Sequence, residues 1–205
     1  VKEQTQNSIW LFSREIDISV FLGSAVVSLF LLAIGWQFGF LNGDSPEWTW
    51  ITAILLIDVA HVWSTSFRTY FDAEELKDRI WLYTLVPILG YVFGVVLYSE
   101  GEMVFWRSLA YLAVFHFVRQ QYGWVALYRR KANETSNLTW WIDASAIYLA
   151  TIYPLTFWMT DLPRNFQWFV AGDFIGIPHL IEAVLFPVYV LALITYFGKS
   201  FYLYF

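Results

Sequence analysis

From Ile18 to Leu41 the sequence runs without one Asp, Glu, Lys or Arg. A helix crossing about 30 Å of hydrocarbon needs roughly 20 mostly apolar residues, and this stretch supplies them. Five more stretches of the same kind follow, at about 49–67, 80–98, 104–127, 140–160 and 177–197. A transmembrane β-barrel would instead show segments of about 10 residues alternating apolar and polar, and Val20 to Ile34 does not alternate. Composition agrees, since 59% of the chain is hydrophobic and 14% charged, against about 25% charged in a soluble domain. Disorder is excluded by the same figures, because it requires low hydrophobicity and high charge. The expected fold is all-α, a polytopic membrane helical bundle of at least six transmembrane helices forming one integral-membrane domain over 1–205.

The connectors carry their own signals. Asn42-Gly43-Asp44-Ser45-Pro46 reads as a turn in which Gly43 permits positive φ. Asp72-Ala73-Glu74-Glu75 reads as a capping box that starts the third helix, with Glu75 reaching back to Asp72. Lys131 to Thr139 reads as a loop, and Asp161-Leu162-Pro163-Arg164 ends the fifth helix.

Lys2, Arg14, Arg68, Lys77, Arg79, Arg129, Arg130, Lys131 and Lys199 fall on one side of the six-span arrangement. Arg107 and Arg164 fall on the other, and Arg119 lies within a span. The positive side faces the cytoplasm, so both termini are expected inside, in a bacterial inner (plasma) membrane. The sequons at Asn133 and Asn137 then lie in a cytoplasmic loop and read as ordinary polar residues. The polar amino-terminal segment and the long first span do not make a cleavable signal peptide. Further helices are expected beyond Phe205.

Net charge of -5 gives no basic footprint for nucleic acid. The absence of cysteine removes disulfides, thiolate metal sites and cysteine nucleophiles. Chemistry therefore rests on the polar residues inside the spans. A charge near the bilayer centre costs about 2.5–3.5 kcal/mol on insertion scales, so it faces the protein interior and has a partner. Asp58, His61, Thr65, Arg68 and Asp72 follow one another at spacings that form a single helical face. On the fourth helix His116, Arg119, Gln120 and Gly123 do the same. His61 and His116 are expected at similar depth, with Arg119 paired to Asp58 or Asp143. A second pair, His179 and Glu182, sits one turn apart at the start of the sixth helix, in the manner of helical carboxylate–histidine motifs.

These residues admit several roles. A buried Asp58–His61–His116–Arg119 network holds helices in register. A divalent metal site draws its ligands from Asp58, His61, His116, His179 and Glu182, since neutral imidazole is the commonest metal ligand. A b-type haem between His61 and His116, proton transfer and solute transport are further readings. The leading one is a metal-dependent enzyme acting on a lipid-like substrate between helices two and four. In it His61 and His116 bind metal or act as acid and base, Asp58 orients His61, and Arg119 and Gln120 polarise the substrate. The alternatives are a non-catalytic subunit or scaffold of a larger membrane complex and a haem-bearing electron carrier. The expected partners are the lipid bilayer, other membrane subunits and a hydrophobic small molecule or lipid, with no nucleic acid.

The Pro178-His179 step, together with His61 and His116 on other spans, resembles the bacterial Brp/Blh-type integral-membrane carotene dioxygenases. The resemblance covers short stretches around the three histidines. It implies a non-haem iron held by intramembrane histidines from several helices and a carotenoid-like substrate. The chain departs from that pattern in two places: His61 follows Asp58-Val59-Ala60 rather than a Gly-Pro-His turn, and three histidines stand where four ligands are expected.

Trp10, Trp48, Trp50, Trp81, Trp106, Trp140 and Trp141 lie near the ends of the expected spans, as interfacial aromatic belts do. Trp63 and Trp124 lie inside spans and read as helix packing, with a lipid or isoprenoid cavity as the alternative. Arg129-Arg130-Lys131 is explained by topology alone, being short of the four or more basic residues typical of anionic-lipid recognition.

Overall fold

The computed structural model describes residues 10–43, 46–163 and 167–204. The described residues are helices and connectors, with no strand among them. The chain divides into two compact units, Glu15–Val96 and a second that joins the first residues to Leu97–Phe205. Each is described by itself.

In the first unit α1 covers Arg14–Gln37, with a π-helical stretch at Ile18–Gly23. Ser24 and Ser28 donate their hydroxyls back to Phe21 and Ser24 carbonyls, so the polar atoms within this apolar helix are satisfied internally. A positive φ does occur after α1, but at Gly39 (72°) rather than Gly43, whose φ of -105° is extended. Asp44 and Ser45 of the expected turn lie outside the described residues.

Helix α2 (47–68) changes pitch twice. It is π-helical over Trp50–Val59, α-helical over Ala60–Ser64 and 3-10 over Thr65–Arg68. The expected single face from Asp58 to Asp72 is therefore broken. The tightened last turn alters the phase at Arg68, and Asp72 has left the helix for an extended conformation, φ -91° and ψ 107°.

Asp72 caps α3 (Ala73–Asp78), accepting from the Glu74 and Glu75 amides at 3.1 Å each. The box is only half closed. Instead of turning back, Glu75 accepts from the Tyr83 hydroxyl at 2.7 Å and pairs with Arg79 at 3.4 Å. Arg79 leaves helical geometry, and α4 (Ile80–Ser99) begins as a separate helix. The capping signal starts a short helix rather than the membrane-length one.

The second unit is built on α5 (Glu102–Lys131), α6 (Asn137–Thr160) and α7 (His179–Tyr204). Helix α6 packs on both neighbours and contributes six buried positions, Asp143, Ala144, Ala146, Thr156, Met159 and Thr160. Small residues at such contacts let helix backbones approach closely. A short turn joins α5 to α6, with Asn133 at φ 54°, a left-handed conformation that Asn tolerates at helix ends. The sequon residues thus serve as a helix terminator and a helix start. At the far end Ala110, Met159 and Phe174 form the core, with Val114, Leu155, Leu162 and Ile177 against it.

Among the described residues three helices are long and apolar enough to cross a membrane: Arg14–Gln37, Ile80–Ser99 and His179–Leu203. The other three expected spans are helical without meeting that standard. Helix α2 is divided by its changes of pitch. Helix α5 carries Arg107, His116, Arg119, Gln120 and Gln121, and α6 carries Asp143 and several hydroxyl residues. Pro87, Pro154 and Pro187 lie inside helices, a placement that membrane helices tolerate better than soluble ones.

Candidate functional site

The expected site residues fall in both units. On α2 of the first, Asp58 Oδ1 stands 3.4 Å from His61 Nδ1, an ion-pair separation somewhat longer than a hydrogen bond. The side chains are half exposed, at 50% for Asp58 and 55% for His61. The π-helical stretch ends at Val59, between them, and breaks of this kind inside helices recur at functional positions. With Nδ1 turned toward the carboxylate, Nε2 is the nitrogen left to meet a proton, a metal or a substrate.

The second unit holds His116, Arg119, Gln120, His179 and Glu182. His116 is exposed on α5 with its ring edge-on to Phe117 at 6.4 Å. Arg119 does not pair with Asp143. Its Nη1 donates to the Tyr148 hydroxyl at 3.0 Å, and its guanidinium lies 5.6 Å from the centre of the Tyr122 ring. The antiparallel register of α5 and α6 explains the difference. Asp143 stands opposite Arg129, so Arg119, ten positions earlier on α5, meets a later part of α6. Gln120 is exposed, while its neighbour Gln121 makes the interhelical contact, accepting from the Thr151 hydroxyl at 2.7 Å. The Trp140 indole N–H donates to the Tyr122 hydroxyl. At the start of α7, Glu182 accepts from the Tyr153 hydroxyl at 3.0 Å, and Tyr153 stacks on Tyr189 at 4.9 Å. His179, one turn earlier, is exposed.

The most buried polar cluster joins Arg129 and Lys199, which the sequence marked only for topology, to Asp143 and Glu134. Arg129, 8% exposed, donates to Asp143 Oδ2 at 2.5 Å, to Thr139, and to the Glu134 and Ser136 carbonyls. Lys199 donates to the other Asp143 oxygen at 2.6 Å. Glu134 Oε1 faces both cations, 3.2 Å from Arg129 and 3.5 Å from Lys199. Two cations and two carboxylates thus close a neutral ring that ties α5, the connector, α6 and α7 together at one end. Burial by itself would raise the Glu134 carboxyl, but the Thr139 hydroxyl, Lys199 and Arg129 outweigh it and hold the group below its ordinary range. Such a ring satisfies its own charges, so it acts as a clamp rather than as an open acid–base site.

A second buried carboxylate, Asp173, is fully enclosed in the connector before α7. Its Oδ2 accepts from the backbone amides of Trp168, Phe169 and Val170 at 2.7–3.2 Å and organises that turn.

Among the described residues no three His, Asp or Glu side chains converge closely enough to hold a metal ion. Neither unit taken alone completes the ligand set expected from Asp58, His61, His116, His179 and Glu182. No protein family, curated protein or solved structure matches the chain.

The clamp was out of reach of the sequence because its members are far apart. Asp143 and Lys199 are separated by 56 positions, and no local spacing links them. The available signal was a pair of opposite charges, Asp143 just inside the expected fifth span and Lys199 just past the sixth.

Proposed function

We propose that this chain is a polytopic membrane protein with six spans and both termini on its positively charged, cytoplasmic side. In this reading His61, oriented by Asp58, is its reactive group toward a lipid-like substrate. The observation that carries it is the Asp58–His61 pair itself, 3.4 Å apart on an apolar helix. Placing a carboxylate and an imidazole within a membrane span is costly, and a carboxylate beside Nδ1 is the arrangement that fixes the ring's tautomer and orientation and leaves Nε2 available. His61 then serves as a base or a metal ligand, and the host membrane is a bacterial inner membrane.

His116, Arg119, Gln120, His179 and Glu182 are assigned to the same chemistry from the sequence. The resemblance to Brp/Blh-type enzymes favours iron as the metal. Among the described residues the donors do not converge on one point. The test is metal content of the full-length protein purified in mild detergent, compared with His61→Ala and His116→Ala. One equivalent of metal, lost in both variants, is the result expected for the metal form. A metal-free protein that still binds an apolar ligand through His61 leaves the acid–base form standing. Ligand binding unchanged in His61→Ala overturns both.

A second reading, a non-catalytic subunit of a larger membrane complex, is favoured by the closed Arg129–Glu134–Asp143–Lys199 ring, which is structural chemistry. Co-purifying stoichiometric partners, with function intact in His61→Ala, decide for it.

A further inference from the structure

The end of the second unit away from the charge clamp carries a cleft of about 320 Å³, lined by Arg107, Leu162, Pro163, Gly172, Phe174, Ile175 and Gly176. A volume of this order suits a small ligand or a head group. Among the described residues of this wall, Arg107 carries the charge. Its Nε donates to the Gly172 carbonyl at 3.1 Å, which anchors the guanidinium plane. Neither terminal nitrogen of Arg107 has a partner among the described residues. A guanidinium fixed through Nε and open at both terminal nitrogens is preorganised to take two oxygens of one oxyanion.

The rest of the wall fits a ligand with two characters. Gly172 and Gly176 also line the cleft, and their backbone N–H groups have no acceptor among the described residues. Leu162, Pro163, Phe174 and Ile175 make the remainder apolar. Behind Phe174 stand Tyr111 at 5.5 Å and Trp168 at 6.2 Å, and Trp168 continues to Phe117 at 5.3 Å. Tryptophan and tyrosine are enriched where a membrane protein meets the head-group layer. Asp161 and Asp173, the two anions that adjoin wall residues in sequence, do not line the cleft; the Oδ2 of Asp173 is engaged by three amides.

We propose that this cleft binds the phosphate of an amphiphile, with Arg107 holding the phosphate oxygens and the Leu162–Pro163–Ile175 wall receiving the apolar stem. A phospholipid head group is the source this chemistry fits. The source rests on the membrane reading given above, whereas the cleft is a feature of the second unit alone, so failure of one leaves the other standing.

The experiment uses the full chain in an uncharged detergent and titrates three probes: dihexanoyl phosphatidylglycerol, inorganic phosphate and uncharged dihexanoylglycerol. Saturable binding of the phosphatidylglycerol is expected, with the other two at least tenfold weaker. Arg107→Gln is expected to weaken it roughly 10- to 100-fold, the value of one or two hydrogen bonds to a charged group. Ile175→Trp, which keeps the charge and fills the cleft from an exposed position, is expected to abolish binding with the helical circular dichroism unchanged. Equal binding by wild type and Arg107→Gln, inorganic phosphate binding as tightly as the lipid, or undiminished binding by Ile175→Trp would each overturn the proposal.

Discussion

Asp143→Asn removes one charge from the ring that joins α5, α6 and α7 and changes little else in size. Asp143 is 3% exposed and contacts Arg129 at 2.5 Å and Lys199 at 2.6 Å. After the substitution two buried cations share a single carboxylate, Glu134, at 3.2 and 3.5 Å. Leaving a buried charge uncompensated costs about 3–5 kcal/mol. Exposed pairs are worth about 0–1 kcal/mol, so the two cases are easily separated. The absence of cysteine provides a clean assay. Ala146→Cys places one thiol on α6 at a position 5% exposed, and its rate of labelling by a water-soluble maleimide reports opening of the helix packing. A loss of 3 kcal/mol corresponds to roughly 100-fold faster labelling, at about 1.4 kcal/mol per tenfold. Lys199→Met added to Asp143→Asn leaves Arg129 with Glu134, restores neutrality and should recover most of the protection. Labelling of Asp143→Asn within about threefold of the parent, or no recovery in the double variant, would refute the claim that charge balance holds this end together.

Two further outcomes follow from local geometry. Glu134 is held below the ordinary carboxylate value of 4.5 in the folded protein, so its stabilisation is fully present above that value and is lost as pH falls through the lowered one. Thermal unfolding of wild type should therefore exceed that of Glu134→Gln at pH 6, and the gap should close as the solution is made more acidic; a gap independent of pH contradicts the assignment. Asp72→Ala should cost about 1 kcal/mol of local stability by removing the N-cap of Ala73–Asp78. Faster amide exchange at Glu74 and Glu75, without change in α6, is the expected signature.

Periodicity and apolar length marked nearly every helix, because a long run such as Ile18–Leu41 leaves the backbone no alternative in hydrocarbon. The end of α6 at Thr160 and the cap at Asp72 were also legible, since each depends on residues within a few positions of one another. What escaped was set by register between helices. Arg119 was expected at Asp58 or Asp143 but meets Tyr148, and Arg129, counted only for topology, takes Asp143. Changes of helical pitch were equally hidden. Nothing in Trp50–Val59 announces wide turns, yet they and the 3-10 turn at Thr65–Arg68 break the expected polar face and leave Asp58–His61 as its surviving contact. Asp173 escaped because a connector aspartate looks like any turn residue until its three amide donors are seen.

The proposed function turns on whether Asp58 orients His61, and nitrogen-15 spectroscopy of the imidazole measures this directly. In the 205-residue chain in lipid nanodiscs, with His116→Gln and His179→Gln to leave His61 as its one histidine, His61 should carry its neutral proton on Nδ1. Asp58→Ala should move that proton to Nε2. His61 protonated on Nε2 in the presence of Asp58, or a tautomer indifferent to Asp58→Ala, would contradict the account.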